Sequence, residues 1–213
     1  MKIAIFGSTG FLGKVLLKKA LDMGYQVKTL VRNPEKLGEF KNSVEFIQGN
    51  IFNANDIEAT VSETEAVIST VGPPNRNTGN PETYKKAMED LVAVVEKAHI
   101  MRLIHVGGAV HLGGENENWT LSRKLLRLFL NTLAKPVLVA KQLEWEVLKK
   151  SKLEWTLVRP PRIAKGKSQG KRLIADEKNL ASLQVNVEDL SIFILEQINS
   201  DTWKRKAPLV SNH

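Results

Sequence analysis

A chain of 213 residues, 42% hydrophobic and 25% charged, has the size of one large α/β domain and is too short for two full ones. It contains no cysteine, which excludes disulfides, thiolate nucleophiles and thiolate-held zinc or iron–sulfur clusters, so redox chemistry has to come from a bound cofactor. The net charge of +8 is concentrated: between Thr120 and Arg172 fourteen Lys or Arg face three Glu, a surplus that suits an anionic small molecule, a nucleic acid or an anionic membrane and by itself selects none of them.

The first apolar run, Lys2 to Phe6, stops at Gly7, and helical spacing at Phe11, Val15 and Leu16 predicts a helix from Phe11 to Met23. Gly24-Tyr25 ends it, and Gln26 to Val31 reads as a second strand, completing a βαβ unit with a right-handed crossover. The turn between the first strand and helix is Gly7-Ser8-Thr9-Gly10-Phe11-Leu12-Gly13. In that context Gly7 allows the tight turn, Gly10 a close approach of a pyrophosphate, and Gly13 close packing of helix on strand, while the helix start offers free N–H groups and partial positive charge. All seven residues are therefore expected at a dinucleotide, with a plain tight turn as the alternative.

After the second strand, about 20 residues beyond the glycines, NAD binders place an acid for the ribose 2′-hydroxyl. Here Arg32 stands in Val31-Arg32-Asn33-Pro34. A guanidinium suits a 2′-phosphate, so NADP(H) is expected over NAD(H), with a solvated arginine as the alternative.

The alternation continues with strands at Val44–Ile47, Ala66–Thr70, Leu103–Val106 and Trp155–Val158, and helices around Asp56–Ser62, Glu82–Ala98 and Val139–Lys150. Nearly continuous apolar strands separated by crossover helices predict an α/β fold, a doubly wound parallel sheet of Rossmann type with helices on both faces. At the other strand ends, Asn50 and Ile51 are expected near adenine, Val71 and Gly72 along the adenosine and pyrophosphate, and Gly107 and Gly108 toward the nicotinamide; a structural turn is the alternative at each. Residues 1–213 are read as a single domain, with a substrate-side region built from about 108–135 and 160–185.

Six segments, GSTGFLG, LVRNPEKL, VEFIQGN, AVISTVGPP, RLIHVGG and AKQLEWEVLKKSKLEWTLVRPPRI, resemble those of the atypical short-chain dehydrogenase/reductases, in the NAD(P)-binding NmrA-like branch that includes flavin and biliverdin reductases. The resemblance implies that Lys141 contacts the nicotinamide ribose and that Pro160, Pro161 and Arg162 border the site, Pro160 on the cofactor side. VNVEDLSIFILEQI is similar to the family's last helix, with Val187 and Asp189 near its start.

The departures bear on chemistry. Ketone reductases of this superfamily use Tyr-x-x-x-Lys, but Val137 stands four residues before Lys141, and Gly107-Gly108-Ala109-Val110 lacks the usual serine. Without a positioned proton donor an aliphatic ketone is disfavoured, whereas a flavin, quinone or tetrapyrrole spreads the arriving charge and takes its proton from solvent. The expected partner is such a conjugated small molecule, with Arg162 holding any anionic substituent; Trp119 either closes over a planar ligand or is a packed aromatic. His111 is the remaining candidate proton donor, a loop histidine with a local hydrogen bond being its bland reading, and His105, inside an apolar strand, is expected to be a satisfied core residue.

Residues 121–133 would form a basic helix with a broad apolar face, for which core or lid packing, a membrane surface and a homodimer contact are all readings. The rival to an enzyme is an NADP(H)-binding redox sensor. Nucleic acid is disfavoured, since the sequence has no recognition-helix pattern, RNA-binding aromatic motif or zinc site. No apolar run approaches the roughly 18 residues that cross a bilayer, and Met1-Lys2 leads into a strand rather than an export signal, so the expected address is cytoplasmic.

Overall fold

The computed structural model describes residues 1–72, 80–109, 128, 135–168 and 173–212. In chain order these form β1 (Lys2–Phe6), α1 (Phe11–Asp22), β2 (Gln26–Val31), a 3-10 helix (Pro34–Asn42), β3 (Glu45–Gln48), α2 (Ala54–Val61), β4 (Ala66–Ser69), α3 (Pro81–Lys97), β5 (Arg102–Val106), α4 (Lys135–Lys150) and β6 (Glu154–Val158). After these come β7 (Arg162–Ala164), β8 (Leu173–Asp176), β9 (Gln184–Asn186), α5 (Val187–Glu196) and β10 (Leu209–Asn212).

Six strands make one sheet in the order β3-β2-β1-β4-β5-β6, every neighbouring pair parallel. The chain winds outward from β1 to β3 and then crosses back to β4, so the winding reverses between β1 and β4 and leaves a crevice beyond their carboxyl ends. Alternation along each strand feeds two cores. In β1, Ile3 and Ile5 pack with α1 and α5 through Leu16, Leu17 and Ile194. Ala4 and Phe6 face the other way, among Ile57 of α2, Leu91 and Val95 of α3 and Leu148 of α4. Both faces of the sheet are covered, which is why its strands read as unbroken apolar runs.

Phe11 is 46% exposed, and the buried stripe of α1 is Leu12, Leu16, Leu17 and Ala20. Two features go beyond the sequence reading. A 3-10 helix occupies residues 34–42, started by Asn33, whose side chain accepts the Glu35 N–H at 3.0 Å, and by Pro34 with its preset φ. Finally, β7 pairs with β9 in parallel and β8 with β10 in antiparallel, two small sheets that tie 162–186 to the end of the chain. Arg159, 1% exposed, anchors this region to β6 by donating from Nε to the Ala207 carbonyl at 2.7 Å.

Candidate functional site

The turn after β1 is built by its glycines and by neighbours far away in sequence. Gly7 has φ +88°, and Thr70, just past β4, has its hydroxyl oxygen 3.2 Å from the Phe6 carbonyl and 3.3 Å from that of Gly7. A β-carbon at Gly7 would lie 2.6 Å from Thr70 Oγ1, and one at Gly13 only 2.0 Å from the Gly7 carbonyl oxygen. Gly13 thus lets α1 start directly against the turn. Gly10, whose N–H donates to Gly7 O at 2.9 Å, is exposed and would meet only Gly7 O, at 3.2 Å.

Ser8 is 1% exposed and turned inward. Its hydroxyl lies 2.7 Å from Thr29 Oγ1, which itself donates to the Ile5 carbonyl at 2.6 Å, so Ser8 is the donor to Thr29. Leu12, 7% exposed, belongs to the core. Of the seven residues expected at a ligand, Ser8, Leu12 and Gly13 therefore shape the turn, and Gly7, Thr9, Gly10 and Phe11 reach its accessible side.

The start of α1 is electrostatically open. The helical segments beginning at Pro34, Ala54, Pro81 and Val187 are each capped by an asparagine, Asn33, Asn53, Asn80 and Asn186, and carry an acid in the first turn. α1 has Gly10 at its cap, no capping side chain and no acid in its first turn. Its free N–H groups and helix dipole are left to an anion from outside the chain.

From this turn a cleft runs over the ends of β1, β2 and β3, lined by Gly7, Thr9, Val31, Arg32, Gly49, Asn50, Ile51, Phe52, Val71, Gly72 and Tyr84. Seven sequence-derived positions, Gly7, Thr9, Arg32, Asn50, Ile51, Val71 and Gly72, thus meet in one place. Arg32 is exposed and makes no ion pair among the described residues. Asp56 fixes the next turn by accepting the Asn50 N–H at 2.8 Å, packed so tightly that a β-carbon at Gly49 would lie 2.4 Å from its Oδ2.

Farther along the sheet, the Gly107 N–H donates to the Val158 carbonyl at 2.8 Å and that of Ala109 to the Pro160 carbonyl at 2.9 Å. Gly107, Gly108 and buried Pro160 are therefore neighbours; Pro161 is half-buried and Arg162 exposed. His111, Trp119 and the basic segment 121–133, apart from exposed Leu128, lie outside the described residues.

A buried charge cluster joins α4 to β5. Lys141 Nζ on α4 lies 2.9 and 3.2 Å from the two carboxylate oxygens of Glu144, and Glu144 Oε2 lies 3.2 Å from His105 Nε2 on β5. Glu144 and His105 are each 1% exposed. Burial pushes the Glu144 carboxyl up, but the charge of Lys141 and the hydrogen bond and charge of His105 outweigh it and hold the group below the usual carboxylate range. His105 is satisfied on that side only: its Nδ1 has no hydrogen-bond partner among the described residues, and neither do the buried hydroxyls of Ser69 and Tyr84; all three residues are among those lining one small cavity of about 10 Å³. Burial, and then the negative charge of Glu144, push the Tyr84 phenol up, so it stays protonated. Val137, where a ketone reductase would carry its tyrosine, is half-buried in the first turn of α4.

Comparison with known proteins agrees with this geometry. The family described as NAD(P)H-binding matches residues 7–201. The chain is 26% identical to the anthocyanidin reductase of Arabidopsis thaliana over 211 residues, 87% of this chain and 61% of that protein. It is 32% identical to the uncharacterized protein YwnB of Bacillus subtilis over 111 residues, 51% of this chain and 48% of that one. It therefore spans less than two thirds of either relative. Among solved structures, the oxidoreductase ylbE of Lactococcus lactis superposes over 100% of this chain and 91% of its own at a TM-score of 0.80 and 22% identity. The anaerobillin reductase ChuY of Escherichia coli O157:H7 does so over 100% and 97% at 0.78 and 18%. These two likenesses establish the Rossmann-type fold.

Proposed function

The chain belongs to the NAD(P)H-binding family, and from that premise we propose that it is an NADPH-dependent reductase of a conjugated small molecule such as a flavin, quinone or tetrapyrrole. The observation that carries the reading is the uncapped, acid-free start of α1, opening from a glycine turn onto the crevice between β1 and β4 with Arg32 on the wall of the same cleft. The N–H groups of that helix start take a diphosphate, Arg32 takes the 2′-phosphate, and Asn50, Ile51 and Val71 flank the adenosine. Gly108, with nothing among the described residues within 4 Å of where a β-carbon would be, lets a nicotinamide approach the backbone beside Pro160, and Lys141 supplies a hydrogen bond to its ribose.

When bound, the dihydronicotinamide supplies the hydride. The residues around it position the two reactants, and the proton comes from solvent, because Val137 leaves Lys141 without a hydroxyl partner of the Tyr-x-x-x-Lys type. The same substitution favours a second reading, a redox sensor that binds NADP(H) and turns nothing over. NADPH oxidation assayed with a panel of flavins, quinones and linear tetrapyrroles separates the two. Turnover on any of these acceptors supports the reductase, whereas saturable NADPH binding with no turnover on all of them supports the sensor.

A further inference from the structure

The cluster formed by Lys141, Glu144 and His105 has a cost that folding alone does not explain. A carboxylate and an imidazole buried to 1% exposure lose their hydration, and a buried ion pair is commonly no more stabilising than apolar residues of similar volume. At the position of Glu144, facing the sheet from α4, an apolar side chain would serve packing equally well. What the carboxylate does provide is a fixed seat for the Lys141 ammonium.

Lysine has a flexible four-carbon stem and ordinarily sends its ammonium to water. Here the Lys141 side chain is only 12% exposed and is held by both oxygens of Glu144. The carboxylate is fixed in turn by His105, whose Nε2 meets Oε2 from β5, a fully buried strand of the central sheet. Because an ionised carboxylate only accepts, Nε2 is the donor in that contact. The sequence is thus rigid strand, imidazole, carboxylate, ammonium. An ammonium has three N–H donors, so two engaged with Glu144 leave one for a ligand. The opposite charges of Lys141 and Glu144 offset each other, so what the pair itself offers is a directed donor.

We propose that Glu144, oriented by His105, is the positioning residue that fixes Lys141 for the nicotinamide half of the bound cofactor. The proposal rests on the cofactor reading above and deepens it: the adenosine half is held by Arg32 and the α1 turn, independently of the cluster.

The test compares a whole dinucleotide with a fragment that lacks the nicotinamide ribose. NADPH and 2′,5′-ADP are each titrated calorimetrically into the full chain and into Glu144→Gln, Lys141→Met and the double variant. The proposal predicts that 2′,5′-ADP binds all four proteins within about twofold, that NADPH binds each single variant about tenfold more weakly than the parent, and that the double variant is no worse than the weaker single one. Equal weakening of both ligands would mean that Glu144 merely supports the fold, and unchanged NADPH affinity in Glu144→Gln would mean that it does nothing for the cofactor; either result overturns the proposal. If the parent binds neither ligand, the cofactor reading itself is wrong, an outcome distinct from both. Should Glu144→Gln fail to fold, His105→Leu serves in its place, since it keeps the ion pair and releases only the carboxylate's orientation: a selective loss for NADPH supports the proposal and equal affinity refutes it.

Discussion

Replacing Gly13 with alanine puts a carbon 2.0 Å from the Gly7 carbonyl oxygen and 2.7 Å from its carbon, where real β-carbons essentially never come closer than 3.0 Å. All three nearest atoms are backbone, so no flexible side chain can swing away and α1 must retreat from the turn by roughly 1 Å. Overpacking of this kind costs about 1–3 kcal/mol, against which alanine gains about 1 kcal/mol over glycine inside a helix. The net is a loss of up to about 2 kcal/mol, and at about 2–4 °C per kcal/mol for a chain of this size it lowers the melting temperature by up to about 8 °C. Thermal unfolding followed by circular dichroism reads that shift, and NADPH titration of the same sample should show weakened binding, because the displaced helix start is the one facing the crevice. A melting temperature raised above that of the parent, the ordinary result of glycine-to-alanine in a helix, would refute the packing role assigned to Gly13.

At Gly10 the expectation is the reverse combination. With only Gly7 O within reach, at 3.2 Å, Gly10→Ala should change stability by no more than about 1 kcal/mol yet weaken NADPH at least tenfold by calorimetry, since its methyl occupies the ligand's side. Val137→Tyr should raise the rate with a flavin acceptor less than twofold in a stopped-flow assay; a gain of tenfold or more would show that proton supply limits the reaction. Glu144 gives a pH signature. Its folded pKa is depressed, so its contribution to stability is fully present above the unfolded value of about 4.3 and disappears as pH falls through the folded value. In urea titrations Glu144→Gln should therefore be clearly destabilised at pH 7, by an amount that shrinks as pH falls below the unfolded value, and a difference that stays constant down to the acid limit of folding would contradict the ionised state assigned to the carboxylate.

The parts of the fold that sequence made legible are those with local signals. Alternating apolar strands and crossover helices gave the doubly wound sheet, and Gly7, Gly13 and Arg32 were placed by spacing alone. The helical segment at 34–42 had a readable signal, Asn33-Pro34 with Glu35 behind it, which its weak apolar pattern obscured. β7 to β10 are short and pair with partners that only the tertiary fold brings near. The site shows the same division. Phe52 and Tyr84 reach the cleft from segments with no motif of their own, and Ser8, which the glycine pattern counts as a ligand residue, is drawn inward by Thr29, a partner 21 positions away. His105 read as a core residue from its apolar strand; that it shares Glu144 with Lys141 depends on β5 and α4 packing together, 39 positions apart in sequence.

The central claim is that this chain holds a dinucleotide at the α1 turn and reads its 2′-phosphate with Arg32, an exposed guanidinium free of ion pairs among the described residues. Titrating NADPH and NADH into the parent and into Arg32→Ala by calorimetry tests it directly. A charge-assisted hydrogen bond of about 1.5–3 kcal/mol predicts tighter NADPH than NADH binding by roughly ten- to a hundredfold in the parent, and near equality in the variant with NADH affinity unchanged. Equal affinities in the parent, or equal losses for both nucleotides in the variant, would contradict the account.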